Sequence, residues 1–160
     1  MSIFETTALS VAGIAAETAT GAATATRANI MEMTQAAEEA VLAPEDTGAF
    51  PHELRAALAA RVARLNGDDG LAERYLARAG TFAGLADTGT DGSAEGLAVV
   101  VGFFDKVAAR TAEVAAEDIA ALQTAGVSDA DIVRLCELNA FLAYQIRLIA
   151  GLRLMQGDAA

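Results

Sequence analysis

The segment from Arg55 to Gly80 most constrains how this chain can fold. Its first half carries Leu58, Val62 and Leu65 at helical spacing and is otherwise rich in alanine, the residue that loses least on entering a helix. The run meets Asn66-Gly67, which supplies the left-handed backbone of a helix C-cap, and Asp68 or Asp69 follows at once to cap the next N-terminus. Two helices joined by so tight a corner predict an all-α domain.

The same reading extends to either side. Ile30, Met33, Ala37 and Val41 recur at helical spacing and predict a helix over 24–42, with Glu32, Glu38 and Glu39 facing outward. The segment 43–48, Ala-Pro-Glu-Asp-Thr-Gly, stops it. Pro51 then suits a first helical turn, where its missing N–H costs nothing, and Glu53 complements the positive end of that helix. A Gly-, Thr- and Asp-rich loop over 86–93 divides the chain, and Ser93 is placed to cap an apolar helix over 94–109. A short helix over 117–124 ends at Gly126, and Ser128 with Asp131 opens the longest helix, from Asp129 to about Met155.

Ile132, Val133, Leu135, Leu138, Phe141, Leu142, Ile146, Leu148, Ile149, Leu152 and Leu154 cover nearly the whole circumference of that last helix. A helix apolar all round is buried on more than one side, which in a chain of 160 residues predicts a second subunit against it. About six helices are expected in one domain over residues 22–160, after a weakly structured arm over 1–21 whose small residues include Gly13 and Gly21.

Charge and residue counts exclude several classes of function. Eleven basic against 22 acidic residues give a net charge of −11, which repels phosphate backbones and anionic membranes. The first 28 residues lack the basic start and sustained apolar centre of a secretion signal. The longest strongly apolar run, 97–104, is far shorter than the ~20 residues that cross a bilayer. No nucleic-acid or membrane partner is expected, and a cytoplasmic location is. Cys136 and His52 are the sole cysteine and histidine, so one chain supplies no disulfide, cysteine cluster or two-imidazole site, and no metal or cofactor is predicted.

Several short runs stand in a telling order. Leu42-Ala43-Pro44 with Asp46 and Gly48, Leu65-Asn66-Gly67-Asp68 and Phe104-Asp105-Lys106 come first. Glu117-Asp118 with Leu122, Ala125-Gly126-Val127-Ser128-Asp129 with Asp131-Ile132, and Ala140-Phe141 with Arg147 follow. The series resembles the carboxymuconolactone decarboxylase / alkylhydroperoxidase-D-like superfamily, in particular its peroxidase-related branch, over roughly residues 27–154. The resemblance implies an alkylhydroperoxidase-D-like helical fold that oligomerises through its long C-terminal helix.

In the peroxidase members, the Asn-Gly turn introduces Cys-x-x-Cys-x-x-x-His. A thiolate attacks the peroxide, a second thiol resolves the sulfenic acid, and the histidine with a relay glutamate moves the proton. In this chain the corresponding positions hold Asp68 and Leu71 for the cysteines, Tyr75 for the histidine and Ala56 for the glutamate. The decarboxylase members also keep a histidine where Tyr75 stands. The resemblance therefore implies a branch without the thiol machinery: a non-redox small-ligand binding or accessory protein, or an enzyme of unknown reaction. The competing expectation is a peroxidase-related antioxidant enzyme that relies on Cys136 or on a partner's thiols.

Asp68, Asp69, Glu73 and Tyr75 offer a carboxylate base and a phenol acid to a pocket at the corner. As structural residues, the aspartates cap a helix and Tyr75 fills space. Arg61, Arg64 and Arg74 either bind an anion or pair with nearby acids. Cys136, between Leu135 and Leu138, reads as a core cysteine, and His52 as a surface residue. Arg147 and Arg153, on a helix predicted to be buried, need partners from an interface or a pocket.

Overall fold

The computed structural model describes residues 2–157, whose regular structure is entirely helical. In chain order the helices are α1 (Thr7–Ala12), α2 (Ala19–Ala25), α3 (Ala28–Leu42), α4 (His52–Leu65), α5 (Asp69–Leu76), α6 (Ala98–Ala109), α7 (Ala116–Thr124) and α8 (Asp129–Gln156). Shorter 3-10 turns lie at Ile3–Glu5, Gly80–Ala86, Ser93–Glu95 and Thr111–Glu113. The helices are thus more numerous and shorter than the six expected, because Thr26 and Arg27 break the first predicted helix into α2 and α3 and the N-terminal segment contributes its own.

The architecture is built on α4 and α8. Every α4 residue from Leu54 to Ala63 is buried, and five of those ten are alanines, which let α5, the 80–86 turn, α6 and α8 approach its backbone closely. Each fully buried leucine there contributes roughly 1.5–3 kcal/mol over its exposed state. At the corner, Gly67 alone takes the left-handed conformation, with φ +74°, while Asn66 stays at φ −99°. Pro51 is the residue that precedes α4, one position before the expected first turn, and Leu97 rather than Ser93 precedes α6.

On α8 the buried residues are Asp131, Ile132, Leu135, Leu138, Asn139, Leu142, Gln145, Ile149 and Leu152. They form one stripe at three- and four-residue steps, so α8 buries a single face within the chain and leaves Val133, Tyr144, Leu154 and Met155 exposed. By length and composition α8 is also long and apolar enough to cross a membrane, which the search for one unbroken apolar run misses; here its buried face packs on α1, α3, α4 and α6.

Two further expectations are corrected. The buried face of α3 is Met31, Thr34, Glu38 and Leu42, so Glu38 points inward and Ile30 and Met33 outward. The N-terminal arm, which had room for a short helix, holds α1, and it is more firmly packed than a weak arm implies, with Leu9 fully buried, Ala8, Ala12 and Ile14 nearly so, and α1 against α8. Met1 and residues 158–160, the outer ends of the arm and domain spans, lie outside the described residues.

Candidate functional site

The corner between α4 and α5 brings the motif-position residues close in sequence but gives each a separate task. Asp68 precedes α5 and accepts a 3.0 Å hydrogen bond from the Leu71 amide, satisfying one of the donors a helix N-terminus leaves free. Its carboxylate also accepts from both terminal nitrogens of Arg153, at 2.9 and 3.3 Å, and Arg153 in turn donates to the Val11 carbonyl. Leu71 is wholly enclosed and Ala56 is buried in α4, while Asp69 and Glu73 are exposed, Glu73 reaching Arg64 at 3.4 Å.

Tyr75 faces the core and leads to a group that the sequence reading placed on the surface. Its hydroxyl donates to Glu38 Oε1 at 2.8 Å, Gln145 Nε2 donates to the same oxygen at 3.4 Å, and Gln35 Nε2 donates to Glu38 Oε2 at 2.7 Å. Glu38, Tyr75 and Gln145 are each about 1% exposed. Three neutral donors thus surround one enclosed carboxyl, the arrangement a buried acid requires when no cation touches it. Burial first, then the Glu38 carboxylate, holds the Tyr75 hydroxyl well above the usual tyrosine range, so at neutral pH it is a fixed donor rather than a proton shuttle. Gln145 Oε1 is the one enclosed side-chain acceptor without a partner among the described residues.

The arginines near the corner are also engaged. Arg61 is buried, grips both oxygens of Asp105 at 2.7 Å, and donates to the carbonyls of Leu85 and Asp87, so it fastens the 85–90 loop to α6. Arg64 donates to the Ala86 carbonyl and Arg74 to the Thr7 hydroxyl. Arg61 is fully engaged, whereas Arg74 is exposed and forms no ion pair among the described residues. His52 is exposed, and its Nε2 lies 2.9 Å from the Pro44 carbonyl oxygen.

Cys136 is exposed on α8 instead of lying in the core. It stands one position past the buried Leu135, where the helix has turned its side chain off the inner stripe. Partial enclosure by its neighbours, then the charge of Glu137, pushes its thiol above the usual cysteine range, the reverse of what a peroxide-attacking thiolate needs. Among the described residues no three His, Cys, Asp or Glu side chains converge as a metal-binding group.

A small enclosed space lies on the other side of the corner. A cavity of about 80 Å³ is lined by Val62 and Asn66 of the α4 end, Ala108 of α6, and Asn139, Ala143, Ile146 and Arg147 of α8. Asn66 Nδ2 donates to the Val62 carbonyl and the buried Asn139 Nδ2 to the Phe104 carbonyl, at 2.9 Å each. Those bonds fix both amides, since a flip would set oxygen against oxygen. Arg147 donates to the Ala143 carbonyl of its own helix and forms no ion pair among the described residues. No protein-family model, curated protein or solved structure matches this chain.

Of the residues predicted for a pocket at the corner, Asn66 alone lines this cavity; Asp68, Glu73 and Tyr75 do not. Reading residues by family position missed Glu38, Asn139 and Gln145. A signal for the last two was present, because each is a polar side chain on the stripe that Ile132, Leu135, Leu142 and Ile149 mark as buried.

Proposed function

We propose that this chain is a non-redox member of the alkylhydroperoxidase-D-like superfamily that binds a small organic ligand, as a binding or accessory protein or as an enzyme of unassigned reaction. The observation that carries the reading is the fate of Tyr75, where thiol members place their histidine. Its hydroxyl is locked onto Glu38 in an enclosed cluster, beside an Asp68 committed to Arg153 and a Leu71 sealed in the core. Those groups form a structural wall, and the cavity beside Asn66, at about 80 Å³, has room only for a very small ligand.

The same reading includes a homo-oligomer. Ile30, Met33 and Tyr144 are exposed around an apolar groove between α3 and α8, and Ile30 and Met155 border a second groove next to it. Apolar surface gathered in this way supports burial against another subunit.

The competing thiol-peroxidase reading has one observation in its favour, the exposure of Cys136. Its raised pKa and its acidic neighbour weigh against it. The reduced protein is expected to leave a hydroperoxide unconsumed, and consumption that disappears in Cys136→Ser would overturn the non-redox reading. Native mass spectrometry of gently purified protein is expected to show an oligomer carrying a stoichiometric small molecule; a ligand-free monomer would count against both the ligand and the assembly.

A further inference from the structure

We infer that the cavity between α4, α6 and α8 is a subsite for a small carboxylate that also bears a hydrogen-bond donor, a short hydroxy or amino acid. The inference rests on the ligand-binding reading above and gives it a chemical class.

The wall residues determine that class. Arg147 borders the cavity without a carboxylate partner among the described residues, and a guanidinium presents parallel N–H groups that match a carboxylate. Asn139 is 2% exposed, and its Nδ2 is spent on the Phe104 carbonyl. No described residue donates to its Oδ1, and Asn139 lines the cavity. A buried acceptor open to a cavity is satisfied by a ligand O–H or N–H. Asn66 offers a second amide oxygen at the rim, its nitrogen likewise held by its own helix.

The remaining wall is apolar, from Val62, Ala108, Ala143 and Ile146, and includes no acidic side chain. The carboxylate is thus bound where the repulsion of a chain with net charge −11 is locally offset by Arg147. Size sets a further limit. At a water's share of about 30 Å³, the cavity's 80 Å³ holds about three water-sized groups, which restricts the ligand to the smallest acids, of two carbons.

The test is calorimetric titration of the full chain with glycolate and glycine, against acetate as the probe that lacks the donor. Glycolate or glycine is expected to bind about tenfold more tightly than acetate, the worth of one well-placed hydrogen bond. The side-chain amide signals of Asn66 and Asn139 are expected to shift in a nitrogen-15 correlation spectrum. A response to glycolate alone identifies the hydroxy acid, and to glycine alone the amino acid. Arg147→Gln is expected to weaken that binding at least about tenfold.

Acetate binding as tightly as either probe, binding that Arg147→Gln leaves intact, or shifts remote from Asn66 and Asn139 would each overturn the assignment. If none of the acids binds while native mass spectrometry still finds a retained small molecule, this inference falls and the broader ligand reading stands. If both are negative, the two fall together.

Discussion

Two sets of polar groups meet at the end of α4, and they are finished differently. On the α5 side, Asp68 answers Leu71 and Arg153, Tyr75 answers Glu38, and Glu38 receives three donors, with Gln145 Oε1 the one enclosed acceptor left over among the described residues. On the α6 side, Asn139 and Arg147 line a cavity, and each spends a donor on a backbone carbonyl. Buried polar groups that are paired specify a fold, whereas those left open to a void are placed for something that is not part of the chain. A family motif read position by position leads to the first set, although it is the second that borders a cavity.

The contrast is broken most forcefully at Asp68. Asp68→Ala removes the α5 cap, leaves the Leu71 amide without an acceptor and deprives Arg153 of its carboxylate, so a loss of about 3 kcal/mol is expected in urea unfolding. A loss under about 0.5 kcal/mol, in the range of ordinary surface substitutions, would mean that this side is no structural wall. The aspartate would then return to consideration as a reactive group.

Tyr75 gives the next largest effect, through pH. Its folded pKa is raised, so its contribution is complete below the ordinary tyrosine value near 10 and is lost as pH rises above it, at up to about 1.4 kcal/mol per pH unit. Alkaline titration by tyrosinate absorbance is expected to leave one phenol silent until the helical signal collapses, and Tyr75→Phe is expected to remove that late step. A Tyr75 that ionises freely while the protein stays folded would contradict the enclosure of the Glu38 cluster. Tyr75→Phe itself, by withdrawing one donor from a buried carboxyl, is expected to cost about 1–3 kcal/mol.

How much of this was legible in the sequence depended on the range of the deciding contact. The α4–α5 corner was read correctly because Gly67 and Asp68 act within a few residues, as do Ser128 and Asp131 at the start of α8. The rotational setting of α3 was not. Both faces of that helix carry apolar residues, and the one that is buried also holds Glu38, whose partners Tyr75 and Gln145 lie 37 and 107 residues away. Counting hydrophobic residues treats a glutamate as an outward marker, and no local signal announces a tyrosine waiting for it. Cys136 was misplaced for a related reason: apolar neighbours in sequence occupy different sides of a helix, and a one-residue step turns a side chain away from the stripe. For the candidate site, Asn66 came from turn chemistry. Asn139 and Arg147 became a pair facing one space only when α8 was set against α4 and α6.

The smallest expected effect gives the sharpest comparison, because it concerns two arginines on the same helix. Arg153 holds Asp68 and the Val11 carbonyl, and Arg147 holds only a carbonyl one turn back on α8. Arg153→Gln is expected to destabilise the fold measurably, by leaving the 6%-exposed Asp68 carboxylate without its cation. Arg147→Gln, at an exposed side chain with no ion pair among the described residues, is expected to stay within about 0.5 kcal/mol of the parent in the same urea titration. If Arg147→Gln instead costs as much as Arg153→Gln, Arg147 is part of the scaffold, and the two sides of the α4 end are no longer different in kind. If it is neutral, its charge beside a cavity is not explained by folding, and the carboxylate titrations become the deciding measurement.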